Sequence, residues 1–217
     1  MPFFGIGIGF AAISLALFSI NRRLPARARK TNGVEGHAVQ RVVSEFAQVL
    51  TRPWARVVPL TVFLEGAFLY GAFAFIATHL HEHFGLPLAS AGSTLMLFGF
   101  GGLLFALASK RLVRGLGEVR LMMFGGLLLA ASLLVVGIAP VWWWALPGCF
   151  IAGLGFYMFH NTLQINATQM APEHRDAAVS AFAASFFLGQ AAGVGIDGAL
   201  VALMFSRLRA VRGAAPA

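Results

Sequence analysis

The sequence predicts an all-α membrane protein, a polytopic bundle of about six transmembrane helices. Three observations predict it. The 217 residues are 59% hydrophobic and 11% charged, with a mean hydropathy of +0.79, more apolar than the core of a water-soluble domain of this size requires. The apolar residues come in runs of roughly twenty, the length at which a helix crosses a hydrocarbon core about 30 Å thick. No run alternates with the two-residue period of a strand, which argues against a β-barrel.

The first run covers residues 1–20 and meets Asn21, Arg22 and Arg23 at once. A signal peptide carries its positive charge before the apolar stretch, so this run reads as a spanning helix that ends in the cytoplasm. Residues 21–56 form a basic linker with eight of the sixteen Lys/Arg. Within it Val39, Val42, Val43, Phe46 and Leu50 recur at helical spacing, which predicts a short amphipathic helix on the membrane surface or against the bundle. Five more runs make up a bundle over 57–205: Val57–Thr78, Leu88–Ala108, Leu121–Ala139, Val141 to about His160, and Ala177–Phe205. A basic tail, 206–217, follows.

Charge sets the orientation, because cytoplasmic loops retain Lys and Arg. One set of loops carries eight from 21 to 56, four from 109 to 120 and one from 161 to 176; the intervening loops at 79–88 and 139–141 carry none. The first set is expected inside, with Trp54 as its aromatic anchor and Trp142, Trp143 and Trp144 at the outer interface. Arg207, Arg209 and Arg212 break the pattern, since strict alternation puts them outside. The expectation is that a further helix, returning the chain to the cytoplasm, is missing.

A net charge of +8 and a pI near 11.3 raise the question of nucleic acid. The basic residues lie between apolar spans with no aromatic interleaving for base stacking, so nucleic acid is not an expected partner and the lipid bilayer is. The single cysteine, Cys149, lies in an apolar run and offers neither a disulfide framework nor a metal cluster. Gly193, Gly195 and Gly198 match the dinucleotide pattern in letters, but a fingerprint of that kind follows a strand, and here it sits inside an apolar span. Close helix packing is the better account of Gly189 and Gly193, as of Gly5 and Gly9. His79, Glu82 and His83 could ligate zinc on a helix, yet no third ligand group is near, and they read as the polar outer end of a span. No cofactor, no metal and no catalytic set is expected, so the chain is not read as an enzyme.

Glu65 is the most informative residue. It lies eight residues beyond the start of the second run, roughly 12 Å into the bilayer at 1.5 Å per residue. An ionised carboxylate at that depth is costly toward lipid, so it should face the bundle interior, as a helix-to-helix hydrogen bond or as a substrate or proton-coupling group. Asp197 lies twenty residues along its run, about 30 Å from the inner end, and is expected near the outer interface. Gln190, seven residues earlier on the same face, is the better cavity residue.

Tyr157, His160, Asn161, Thr162, Gln164, Asn166, Pro172, Glu173 and Arg175, followed by Ser180, Ser185, Gly189 and Gln190, resemble the tenth helix, short inner loop and eleventh helix of the major facilitator superfamily. The stretch from Gly101 and Gly102 through Lys110, Arg111 and Arg114 to Gly117 resembles its basic loop between helices eight and nine. Residues 21–56 resemble the linker between its two halves. The resemblance implies half of a major-facilitator-type fold, helices six to eleven of twelve, and transport of a small solute by alternating access. It further implies a cavity lined by runs two, three, five and six that includes Glu65, Tyr70, Asn161 and Gln190; these, together with Asp197, are the expected substrate or proton-coupling residues. Lys110, Arg111 and Arg114 would form the gating loop. From this follow expectations of secondary, proton-coupled efflux in the plasma (inner) membrane by a truncated or half-length form. Such a half would expose Glu65, Tyr70 and Gln190, and would pair with itself or with a complementary half. The rival reading is a six-helix membrane protein that transports nothing, an intramembrane enzyme or a scaffold subunit.

Overall fold

The computed structural model describes Ser44, Thr51 and residues 53–213. The expected first span, all but two residues of the linker before Pro53, and residues 214–217 lie outside the described residues, and so does the amphipathic helix apart from Ser44. The chain divides into compact units at Met1–Arg41 and Val42–Ala217, and every described residue belongs to the second.

The described residues are almost wholly helical, with no strand among them. In a bilayer no water is available to the backbone, so a spanning segment must bond its own amides to its own carbonyls. The helices are α1 (Pro53–Phe84), α2 (Leu88–Thr94), α3 (Met96–Ile138), α4 (Ala145–Met170) and α5 (Arg175–Gly213), with 3-10 turns at Trp142–Trp144 and Pro172–His174. Four segments are long and apolar enough to cross a membrane: Arg56–Phe84, Leu88–Ile138, Trp142–Met170 and Pro172–Leu200. Large apolar side chains cover their outer surfaces, among them Leu107 (78% exposed) and Ile138 (79%). Exposure on that scale suits contact with lipid. The chain is an integral, multi-pass membrane protein.

The third and fourth runs differ from the expectation of two helices joined by a loop, for they form one helical element broken at Gly117. There φ is 72° and ψ 165°, a conformation open to glycine because it lacks a Cβ. The chain reverses at that residue. Phe105 and Leu121, on either side of the break, share one apolar cluster, and Ala91, Leu95 and Leu97 share another with Leu133 and Val136. The arms 96–116 and 118–138 are therefore antiparallel.

Both arms pack on α4. Phe98 and Gly102 of the first arm lie against Gly153 and Tyr157, in parallel order; Gly125 and Val136 of the second lie against Gly155 and Gly148, in reverse order. The fit between α1 and α5 is parallel too, since Phe63, Ala67 and Gly71 meet Gly189, Gly193 and Asp197 in step. A Cβ on Gly189 or Gly193 would strike the backbone of α1, so this small-residue seam sets how close the two helices come. The close packing read from the spacing of Gly189 and Gly193 is present.

These directions alternate as successive crossings must. One end of the bundle gathers Val58, Met170, Ala171 and Ala177 in a core cluster, with Met122 packed on it, and sets Val57, Glu118 and Asn166 around one cavity. The helix ends carrying Arg56, Lys110, Arg111, Arg114, Arg120 and Arg175 lie there. The other end gathers Leu80, Ala91 and Ala145, beside the exposed Trp142–Trp144 turn.

Candidate functional site

Glu65 lies on α1 between these ends. Toward one end Val58 and Val62 pack with Leu163 and Ala167 of α4, and toward the other Ile76 and Leu80 pack with Ala145 and Cys149. Its residue is 7% exposed, so the side chain faces the bundle interior and not lipid. This differs from the expectation that Glu65 stands on an open cavity face: α4 crosses α1 at this level and covers it.

The group that covers it is His160. Its Nδ1 lies 2.9 Å from Glu65 Oε2, a distance at which an imidazole N–H donates to a carboxylate. The second carboxylate oxygen, Oε1, is buried and has no hydrogen-bond partner among the described residues. Around the imidazole stand Phe156 of α4 and Phe182 and Phe186 of α5, with ring centroids 4.9, 5.2 and 4.7 Å away. These rings exclude water from the pair and strengthen its attraction, since less solvent screens it.

The rings extend into a chain across the bundle. Tyr70 lies edge-on to Phe186 and to Phe73, Phe73 packs on Phe98 of the first α3 arm, and Phe98 packs on Phe156 and Tyr157. Runs two, three, five and six, the four for which a cavity wall was expected, each supply at least one ring.

The remaining expected site residues do not gather at Glu65. Asn161 donates to the Tyr157 carbonyl of its own helix at 3.1 Å, and it lines a separate cavity of about 580 Å³ with Lys110 and Tyr157. Gln190 sits where α5 crosses Gly66, close to Glu65 along α1, but the carboxylate's hydrogen bond goes to His160 and not to Gln190. Asp197 stands against Gly71, where an added methyl would lie 2.5 Å from its carboxylate oxygen. Gly71 is eight residues short of His79, about 12 Å along α1, so Asp197 is deeper than its expected place at the outer interface. The parallel register with α1 sets that depth. Lys110, Arg111 and Arg114 are exposed on the arm leading into the Gly117 bend.

At the far end of α1, His81 Nδ1–H donates to the Leu86 carbonyl at 2.6 Å, while Gly85, at φ 68°, turns the chain out of the helix. His79 and His83 stack ring on ring with centroids 5.4 Å apart. No group of three metal-binding side chains occurs among the described residues.

His160 is the partner of Glu65 that sequence reasoning missed. The signal was partial: His160 is an ionisable side chain at the end of an apolar run, where the polar residues that follow it mask its depth and hence its need for a partner.

A family model for the Major Facilitator Superfamily matches residues 2–194. Compared with curated proteins and with solved structures, the chain finds no match.

Proposed function

The chain belongs to the major facilitator superfamily, a family of membrane transporters and not of enzymes, and on that premise we propose that it moves a small solute by alternating access with proton coupling at Glu65 and His160. The observation that carries this reading is the 2.9 Å contact between a carboxylate and an imidazole within two crossing helices. Carboxylates and imidazoles are proton-exchanging groups, and in contact a charge on one alters the proton affinity of the other. The contact also joins α1 to α4, so breaking or remaking it would couple proton binding to helix movement.

Tyr70 and Gln190 are proposed to line the solute path beside the aromatic chain, with Asn161 and Asp197 flanking it along α4 and α5. Lys110, Arg111 and Arg114 are proposed to face the cytoplasm, because that end holds all the Lys and Arg of the loops between described crossings. Labelling tests the orientation: in a Cys149→Ala background, Gly115→Cys should react with an impermeant thiol reagent only when cells are opened. Half-exposed Tyr70, Asn161 and Gln190 are proposed to meet a second copy of the chain or a complementary set of helices.

The test of coupling is accumulation of solutes from a radiolabelled panel by proteoliposomes under an imposed pH gradient. Glu65→Gln should insert normally and abolish gradient-driven accumulation. Accumulation that persists in Glu65→Gln at every pH gradient would remove the coupling role and leave the pair as packing alone.

A further inference from the structure

Glu65 also borders a cavity that His160 does not line. A cavity of about 370 Å³ lies between α1, the second arm of α3 and α4, lined by Thr61, Leu64, Glu65, Phe68, Ala130 and Phe159 among others. Its volume is in the range of small-molecule sites. The Thr61 hydroxyl is already committed to the Val57 carbonyl at 2.7 Å, which leaves Glu65 as the polar group with bonding capacity to spare. The carboxylate side chain is 1% exposed, Oε2 is held by His160, and Oε1 is buried without a hydrogen-bond partner among the described residues. Leu64 (42% exposed) and Phe68 (72%) stand at the mouth, so the cavity opens on the lipid-facing surface and not at either aqueous end.

A carboxylate that borders an apolar chamber and keeps one oxygen unbonded among the described residues is complementary to an N–H on an apolar body. We propose that this cavity is a membrane-facing binding site for a lipophilic ammonium, whose N–H donates to Glu65 Oε1 while its hydrocarbon body lies along Leu64, Ala130 and Phe159. The faces of Phe68 and Phe159 suit a cation as well as a chain. A lipophilic anion would meet the carboxylate with like charge, and a neutral alcohol would supply the hydrogen bond without the charge. The site shares Glu65 with the transport reading but stands without it, because binding needs neither a gradient nor a conformational cycle.

The full chain in lipid nanodiscs, with empty nanodiscs as the blank, tests this by saturable binding of radiolabelled octylammonium and its displacement by octanol and octanoate. Octylammonium should bind about tenfold more tightly than octanol or better, as expected for a close charge pair, and octanoate should not compete. Glu65→Gln should lower the affinity for octylammonium to that for octanol. Ala130→Leu, an exposed position whose larger side chain occupies the cavity without touching His160, should weaken both. Equal binding of the ammonium and the alcohol by the unmodified chain, or no saturable binding, would overturn the proposal. Loss in Glu65→Gln with full retention in Ala130→Leu would overturn it too, by placing the ammonium on the His160 side. Binding that behaves as expected while gradient-driven accumulation fails would count against the transport reading alone.

Discussion

α1 meets α5 and α4 in opposite ways. Against α5 it presents Phe63, Ala67 and Gly71 to Gly189, Gly193 and Asp197, a seam of backbone on backbone at the two α5 glycines and of backbone on the Asp197 carboxylate at Gly71, with little side-chain volume to adjust. Against α4 it presents apolar clusters at each end and, between them, a polar pair flanked by a cavity. Without a hydrophobic driving force inside lipid, close packing and interhelical hydrogen bonds are what hold helices together, and α1 uses one on each side. The seam has a single good arrangement, whereas under the proposed coupling the pair changes charge and partner. The contrast assigns rigidity to α1 with α5 and adjustability to the α1–α4 contact.

The largest expected effect comes from breaking the seam. Gly193→Leu would drive a side chain into the α1 backbone at Ala67, and should cost about 3 kcal/mol as an overpacked contact with no room to relax. Reversible unfolding in mixed micelles would show it, and a change under about 0.5 kcal/mol, the scale of a neutral surface substitution, would refute the seam. The polar pair ranks next. His160→Leu should cost about 1 to 2 kcal/mol in the same assay, and a double-mutant cycle with Glu65→Leu should return a coupling of about 1 kcal/mol. Zero coupling would mean the two side chains act independently. Tyr70→Phe should change stability by less than about 0.5 kcal/mol, because the contacts of Tyr70 to Phe73 and Phe186 are made by its ring, which the substitution keeps. If Tyr70→Phe instead abolishes transport while leaving stability intact, its hydroxyl belongs to the solute path.

Much of this was legible in the sequence. The apolar runs mark the spans because hydropathy is the property the bilayer selects. Glu65 stood out because an acid at that depth is costly, and the four-residue spacing of Gly189 and Gly193 marked the seam. The end of α4 was not legible. Asn161, Thr162 and Asn166 lower the hydropathy after His160, so the run seems to stop there, yet the helix continues to Met170. It continues because Asn161 donates to the Tyr157 carbonyl, Thr162 to that of Met158 and Asn166 to that of Thr162, which satisfies their polar groups on the helix itself. That extension turns His160 from a terminal residue into a mid-span one. Its partner is 95 residues away, and no local pattern links them. The depth of Asp197 likewise depends on the register of α5 against α1, which helix lengths counted from their own ends do not determine.

The central claim is that Glu65 takes up and releases a proton in contact with His160. Difference infrared spectroscopy of the reconstituted chain between acidic and alkaline pH reads this most directly, through the carbonyl stretch of a protonated carboxyl group. A band that is present in the unmodified chain, absent in Glu65→Gln and shifted in frequency in His160→Asn is the predicted result. A spectrum with no Glu65-dependent carboxyl band at any pH, or one that His160→Asn leaves unchanged, would contradict it.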